Sequence, residues 1–195
     1  MLWNDGWSFA LLPPGSGYED YASADRHGVI LPHDWLIQDT GDLYRSGDGW
    51  YGKTLRFDPA LHAGHRICLD FDGVYMDADV LLNGQVICTH RYGYTAFQVE
   101  LTGRLRPGDN EIAVHVRYQS PNSRWYSGAG IFRDVELLLL PDQCMLPFGF
   151  SVETAFDGAC WKLTAGAELN GADAIPVAEL RDAEGRVAVA TGAVP

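Results

Sequence analysis

Residues able to do acid–base or metal chemistry stand in three places. Asp70, Asp72, Asp77 and Asp79 alternate along two short runs, LDFDG and MDADV. Same-face neighbours on a strand lie about 7 Å apart, so a carboxylate pair for acid catalysis and a calcium site are both geometrically open. Neither run has the D-x-D-x-D-G spacing of a calcium loop, and solvated strand faces are commonly acidic, so a plain solvated face is the better reading. His62 and His65 form H-x-x-H in the turn LHAGHR without a third ligand nearby, and no metal site is expected there. His33-Asp34 has the types of a catalytic dyad, but no serine stands in a G-x-S-x-G elbow to use it. A different question comes from SRWYSGAGIFRDV (123–135), where the pair Arg133-Asp134 precedes the apolar run VELLLL. A charged pair at the threshold of a buried strand either ties the loop or serves something outside it.

The elements that must position these residues are strands. Alternation with period two runs from residue 50 onward, in KTLRFD, RICLDFDG and NEIAVHVRY. Asn83-Gly84, between the apolar runs DVLL and QVIC, predicts a type I′ hairpin, because both of its central positions need positive φ. No 11-residue stretch carries a helical stripe, and turn signals recur about every ten residues, the spacing of a sandwich or barrel. The first 45 residues, with LLPPGSG and VILPHDW, read as irregular chain wrapped around the sandwich, and Trp50-Tyr51 reads as core. After Pro141 a second alternating series begins at FGFSVETAF and continues through WKLTAGAEL and the hairpin PVAELRDAEGRVAVATG, about four strands in all. An immunoglobulin-like sandwich uses about seven, so this second domain reads as truncated.

The bulk properties exclude some partners. The 195 residues carry 14 Lys+Arg against 26 Asp+Glu, a net charge of −12, and such a field repels phosphate backbones and anionic membranes. At 47% apolar and 21% charged, the composition is that of a globular protein, and no stretch approaches the roughly 20 apolar residues of a membrane span. MLWNDGWSFALLPPGSG lacks a basic, then apolar, leader, so the chain reads as cytoplasmic, or as secreted under a leader already removed. Cys68, Cys88, Cys144 and Cys160 show no C-x-x-C spacing and read as thiols.

Five stretches, in order, resemble the N-terminal sugar-binding domain of glycoside hydrolase family 2: LPHDW (31–35), GWYGKTLRF (49–57), LDFDGVYMDADVLLNG (69–84), YGYTAFQVELTGRLRPGDNEIAVHV (92–116) and SGAGIFRDVELL (127–138). Within the family the likeness is nearest to the β-galactosidases. The resemblance implies an all-β chain: a jelly-roll, galactose-binding-like β-sandwich over residues 1–141, then a partial immunoglobulin-like sandwich over 142–195. It also implies that the family's catalytic (β/α)8 barrel, with its paired glutamates, lies outside these residues, since a barrel needs about 200 residues or more. Retaining hydrolysis needs two carboxyl groups about 5 Å apart, so the chain alone is expected to be inactive.

By the same resemblance, Asp134 matches the aspartate that reaches toward the barrel's mouth and helps bind sugar hydroxyls or a nearby metal ion. No cofactor is expected in the chain itself. Arg133 is then structural support, its planar donors tying loop carbonyls. Arg124 and Trp125 lie in the loop facing the same pocket, where an aromatic face stacks on a pyranose and Arg donates to hydroxyls, although core packing is the commoner use of such a Trp. LPHDW is explained as packing. The expected function is a non-catalytic sugar-binding and scaffolding part of a β-galactosidase-like enzyme; the alternative is a free-standing carbohydrate-binding module or lectin. Expected partners are a β-galactoside or related sugar, the catalytic barrel, and a second copy through residues 148–195, with neither nucleic acid nor membrane.

Overall fold

The computed structural model describes residues 1–38, 40–122, 128–170 and 177–192. They divide into two compact units, Met1–Leu139 and Leu140–Pro195.

The first unit is a β-sandwich. Its strands are β1 (Trp7–Leu12), β2 (His27–Val29), β3 (Gly47–Phe57), β4 (His65–Phe71), β5 (Asp77–Leu82), β6 (Gln85–His90), β7 (Phe97–Glu100), β8 (Gly108–Tyr118) and β9 (Val135–Pro141). One sheet runs β2-β1-β3-β8-β5-β6 and the other β7-β4-β9. Alternate residues of both enter a single core: Tyr51 and Leu55 from β3, Leu69 and Phe71 from β4, Val80 from β5, Val114 and Val116 from β8. This is the period-two pattern expressed as burial.

The predicted hairpin forms. Leu82 pairs with Gln85, and Asn83 and Gly84 hold φ of 50° and 81°, the values a type I′ turn requires. The Asn83 side chain also accepts from the Glu111 N–H at 3.0 Å and donates to Asn110 Oδ1 at 3.0 Å, fastening the turn to β8.

The N-terminal residues depart from expectation. β1 is hydrogen-bonded between β2 and β3 inside the larger sheet and does not wrap it from outside. Its alternation is faint because both faces are covered. Trp7 and Phe9 enter the main core, while Ala10 joins Tyr21, Trp50, Leu81 and Ala113 in a smaller cluster on the opposite face. That cluster is covered by a six-residue helix, α1 (Tyr18–Ser23), too short for an 11-residue stripe to register. The Tyr21 hydroxyl occupies the place a side chain at Gly52 would need, which accounts for a glycine inside β3.

The second unit consists of two antiparallel ribbons. β10 (Cys144–Phe156) pairs with β11 (Trp161–Asn170), with a bulge between Met145 and Phe150, and β12 (Val177–Arg181) pairs with β13 (Val187–Gly192). None of the four cysteines of the chain is in a disulfide.

Candidate functional site

Three segments distant in sequence lock together at one end of the first unit. The His33 N–H donates to the Ile131 carbonyl at 2.8 Å and the Trp35 N–H to the Ala129 carbonyl at 3.1 Å. Tyr75 and Gly130 exchange both backbone hydrogen bonds at 2.9 Å. Gly130, at φ +125°, lies against the Tyr51 hydroxyl and the His33 carbonyl, where a Cβ would collide with both. Only glycine fits the centre of SGAGIF.

The side chains of LPHDW hold this arrangement from within. His33 is buried, and its Nδ1 lies 2.8 Å from the Tyr51 hydroxyl and its Nε2 2.9 Å from Gln38 Nε2. The Gln38 amide donates, so Nε2 accepts and Nδ1 carries the proton toward Tyr51. Burial, reinforced by His27, pushes the His33 imidazole below its ordinary value and keeps it neutral. Asp34 Oδ1 accepts from the Leu36 N–H at 2.9 Å and the Ala129 N–H at 3.0 Å, joining the two loops.

A groove follows these loops. One compartment, 430 Å³, is lined by Pro32, His33, Asp34, Ile37, Tyr94, Gly128 and Phe132. An adjoining one, 370 Å³, shares Pro32, His33, Asp34 and Ile37 and adds His27, Ile30 and Gln38.

Asp134 comes two residues after Phe132, which lines the groove, and itself lines neither compartment. It is exposed, and its Oδ1 accepts from Asn4 Nδ2 at 2.8 Å, while Asn4 Oδ1 accepts from the Val135 N–H at 2.9 Å. The Asp72 N–H donates to the Asp134 carbonyl at 3.1 Å. The carboxylate is thus held on the surface by a residue 130 positions away. Arg133 turns elsewhere: its guanidinium sits 5.3 Å from the Phe132 ring and reaches the Asp72 carbonyl only at 3.5 Å. Among the described residues, no ion pair joins Arg133 to Asp134. Arg124 and Trp125 lie outside the described residues.

The other candidates disperse. Asp70 belongs to β4 and Asp72 follows it, while Asp77 and Asp79 belong to β5 in the opposite sheet, so the four carboxylates form no cluster. Burial alone would raise the Asp79 carboxyl, but hydrogen bonds from Arg117 at 2.7 Å and Thr89 at 2.5 Å outweigh it and hold the group below the usual range. His62 and His65 turn Nδ1 toward the backbone carbonyls of Asp58 and Ala63. Among the described residues no three His, Cys, Asp or Glu side chains come together as metal ligands. Among the described residues the surroundings of Asp134 therefore supply no complete ligand set; a cation there would need donors from beyond these residues.

Two parts of the site escaped the sequence. Asn4, the partner of Asp134, sits in a stretch with no local pattern. Asp34 and Tyr94 were visible as members of motifs, but nothing local says that they face one groove.

The profile of the glycosyl hydrolases family 2 sugar binding domain matches residues 34–141, more than half of the chain. The chain belongs to that family. The family 2 domain resembles a β-galactosidase, BoGH2A, of Bacteroides ovatus, at 39% identity over 150 residues, covering 69% of this chain and 17% of that protein. A β-glucuronidase of Bacteroides fragilis is 33% identical over 163 residues, covering 77% and 22%. Among solved structures, a family 2 member from Bacteroides cellulosilyticus superimposes with a TM-score of 0.77 at 28% identity, covering 99% of this chain and 28% of the other. The chain therefore spans less than a quarter of the length of these two curated relatives.

Proposed function

We propose that this family 2 domain is the non-catalytic sugar-binding and scaffolding part of a glycoside hydrolase acting on β-galactosides. Asp134 presents its carboxylate to the sugar, and Arg133 supports the loop that carries it. The observation behind this reading is the clamp of Asn4 on Asp134, which keeps an exposed carboxylate in one orientation. A carboxylate oxygen so placed can accept hydroxyl hydrogen bonds with little ordering cost on binding.

Charge favours a neutral galactoside over a glucuronide. The chain carries a net charge of −12, and a fixed carboxylate at the sugar's edge repels a uronate. Hydrolysis itself needs a second, closely spaced carboxyl group, and the dispersed acidic residues do not offer one. The lectin alternative has less behind it, since the family and the relatives reported above are hydrolases.

The test has two arms. The 195-residue chain is expected to release no nitrophenol from nitrophenyl β-galactoside or β-glucuronide; turnover that persists after a change of expression host overturns the non-catalytic reading. In a longer protein carrying this chain and its barrel, Asp134→Ala is expected to lower kcat/KM for the galactoside. Unchanged kinetics reduce Asp134 to a structural clamp.

A further inference from the structure

The groove lined by Asp34, Tyr94 and Phe132 is not accounted for by the Asn4 clamp on Asp134. It is lined in part by Tyr94, a residue 38% exposed whose ring has two aromatic neighbours. Tyr75, itself buried, lies 5.2 Å behind it, and Tyr92 approaches its edge at 5.8 Å. The loop is pinned as well: Thr95 Oγ1 lies 3.1 Å from His90 Nε2, and the His90 ring stacks on Phe97 at 4.2 Å. Gly93 lets the backbone lie directly on the Tyr75 ring, because a Cβ there would enter that ring. The Tyr94 ring is therefore held in place at the groove by its neighbours, with its ordering cost met by the fold.

The same compartment is lined by Ile37, 60% exposed, and by Asp34 and Phe132. A flat ring, an aliphatic side chain and a carboxylate lining one compartment suit an amphipathic disc, with C–H groups on its faces and hydroxyls at its edge. A pyranose has that form. At 430 Å³ the compartment lies within the common range of small-ligand sites, and the neighbouring 370 Å³ compartment offers His27 and Gln38 to a second ring.

We propose that this groove is a sugar-stacking subsite in which Tyr94 packs against one face of a pyranose of a β-galactoside, separate from the contact at Asp134. This rests on the sugar-binding reading above. Both compartments are open to solvent, so the subsite by itself binds with a Kd on the order of millimolar.

The experiment is an amide NMR titration of the 195-residue chain with methyl β-galactoside and with lactose, repeated on Tyr94→Leu, Tyr94→Trp and Asp134→Ala. Expected are shifts at Tyr94, Ile37 and Gly128, about tenfold weaker binding in Tyr94→Leu, and retention in Tyr94→Trp. Leucine keeps apolar bulk but loses both the flat face and the phenolic hydroxyl, tryptophan restores the face without that hydroxyl, and unchanged resonances elsewhere report an intact fold. Shifts confined to Asn4, Asp134 and Val135, or an unchanged Kd in Tyr94→Leu, overturn the subsite and leave the Asp134 reading standing. Binding that depends on Tyr94 and ignores Asp134→Ala supports a subsite separate from Asp134, whereas loss of all binding in Asp134→Ala with no loss in Tyr94→Leu overturns it. No shift with either glycoside at tens of millimolar overturns the subsite outright.

Discussion

Phe71 in β4 and Phe150 in β10 are each an aromatic residue in an alternating strand, yet Phe71 is fully buried and Phe150 is 58% exposed. The contrast holds throughout the two units. In the first, both inner faces of a sandwich meet, and Leu69, Val80, Val114 and Ile131 have no measurable exposure. In the second, Phe148, Phe156, Trp161 and Leu163 stand exposed on a ribbon, and no apolar side chain among the described residues is buried. Alternation creates an apolar face; burial requires a second face opposite. A two-stranded ribbon has little independent stability in water, so the second unit depends on what covers it.

That comparison can be broken most directly by assembly. We propose that two copies of the chain associate through residues 148–195, because exposed apolar faces and unpaired strand edges recruit other chains. Light scattering is expected to show association for the whole chain and a monomer for residues 1–141. A whole chain that stays monomeric at high concentration means that the ribbons find no cover in a second copy.

Next in size are substitutions that probe the two faces. Phe71→Ala is expected to cost about 3–5 kcal/mol in denaturant unfolding, as for a large aromatic removed from a packed core. Phe150→Ala is expected within about 0.5 kcal/mol in the monomer, because most of the side chain is already exposed. Equal costs would erase the distinction between the units.

A smaller effect separates them by pH. Burial pushes His33 and His115 below the ordinary imidazole value, with Arg117 also acting on His115 against the pull of Asp48. The unfolded chain then binds more protons than the folded one just below about pH 6.5, so this contribution is complete above that value and is lost as pH falls through it. The denaturant midpoint of the first unit is expected to drop between about pH 7.5 and 5.5, and His33→Gln and His115→Gln to flatten the drop. A midpoint that rises on acidification would reverse the assignment of both rings as neutral.

The smallest expected change is at Asp134 itself. Asp134→Ala should shift stability by no more than about 0.5 kcal/mol, since the residue is exposed and its partner Asn4 can turn to water. A large loss would make the Asn4 clamp a structural necessity and weaken its link to sugar binding.

What the sequence determined by itself was local. Asn83-Gly84 specified its turn because two adjacent residues carried the whole requirement for positive φ, and the strands from β3 to β8 could be read where one face met the core and the other met less apolar surroundings. The family motifs pointed to Asp134. Tertiary structure decided the rest, for a common physical reason: each remaining feature depends on groups far apart in the chain. β1 lies inside the sheet because α1 and the core cover its two sides, which also hides its alternation. Asp134 is oriented by Asn4, and Gly130 is required by Tyr51 and His33, none of them a sequence neighbour. The groove exists only because the loops bearing Asp34, Tyr94 and Phe132 converge at one end of the sandwich. Spacing along a chain encodes the direction of a side chain relative to its own backbone, and only packing decides what it meets.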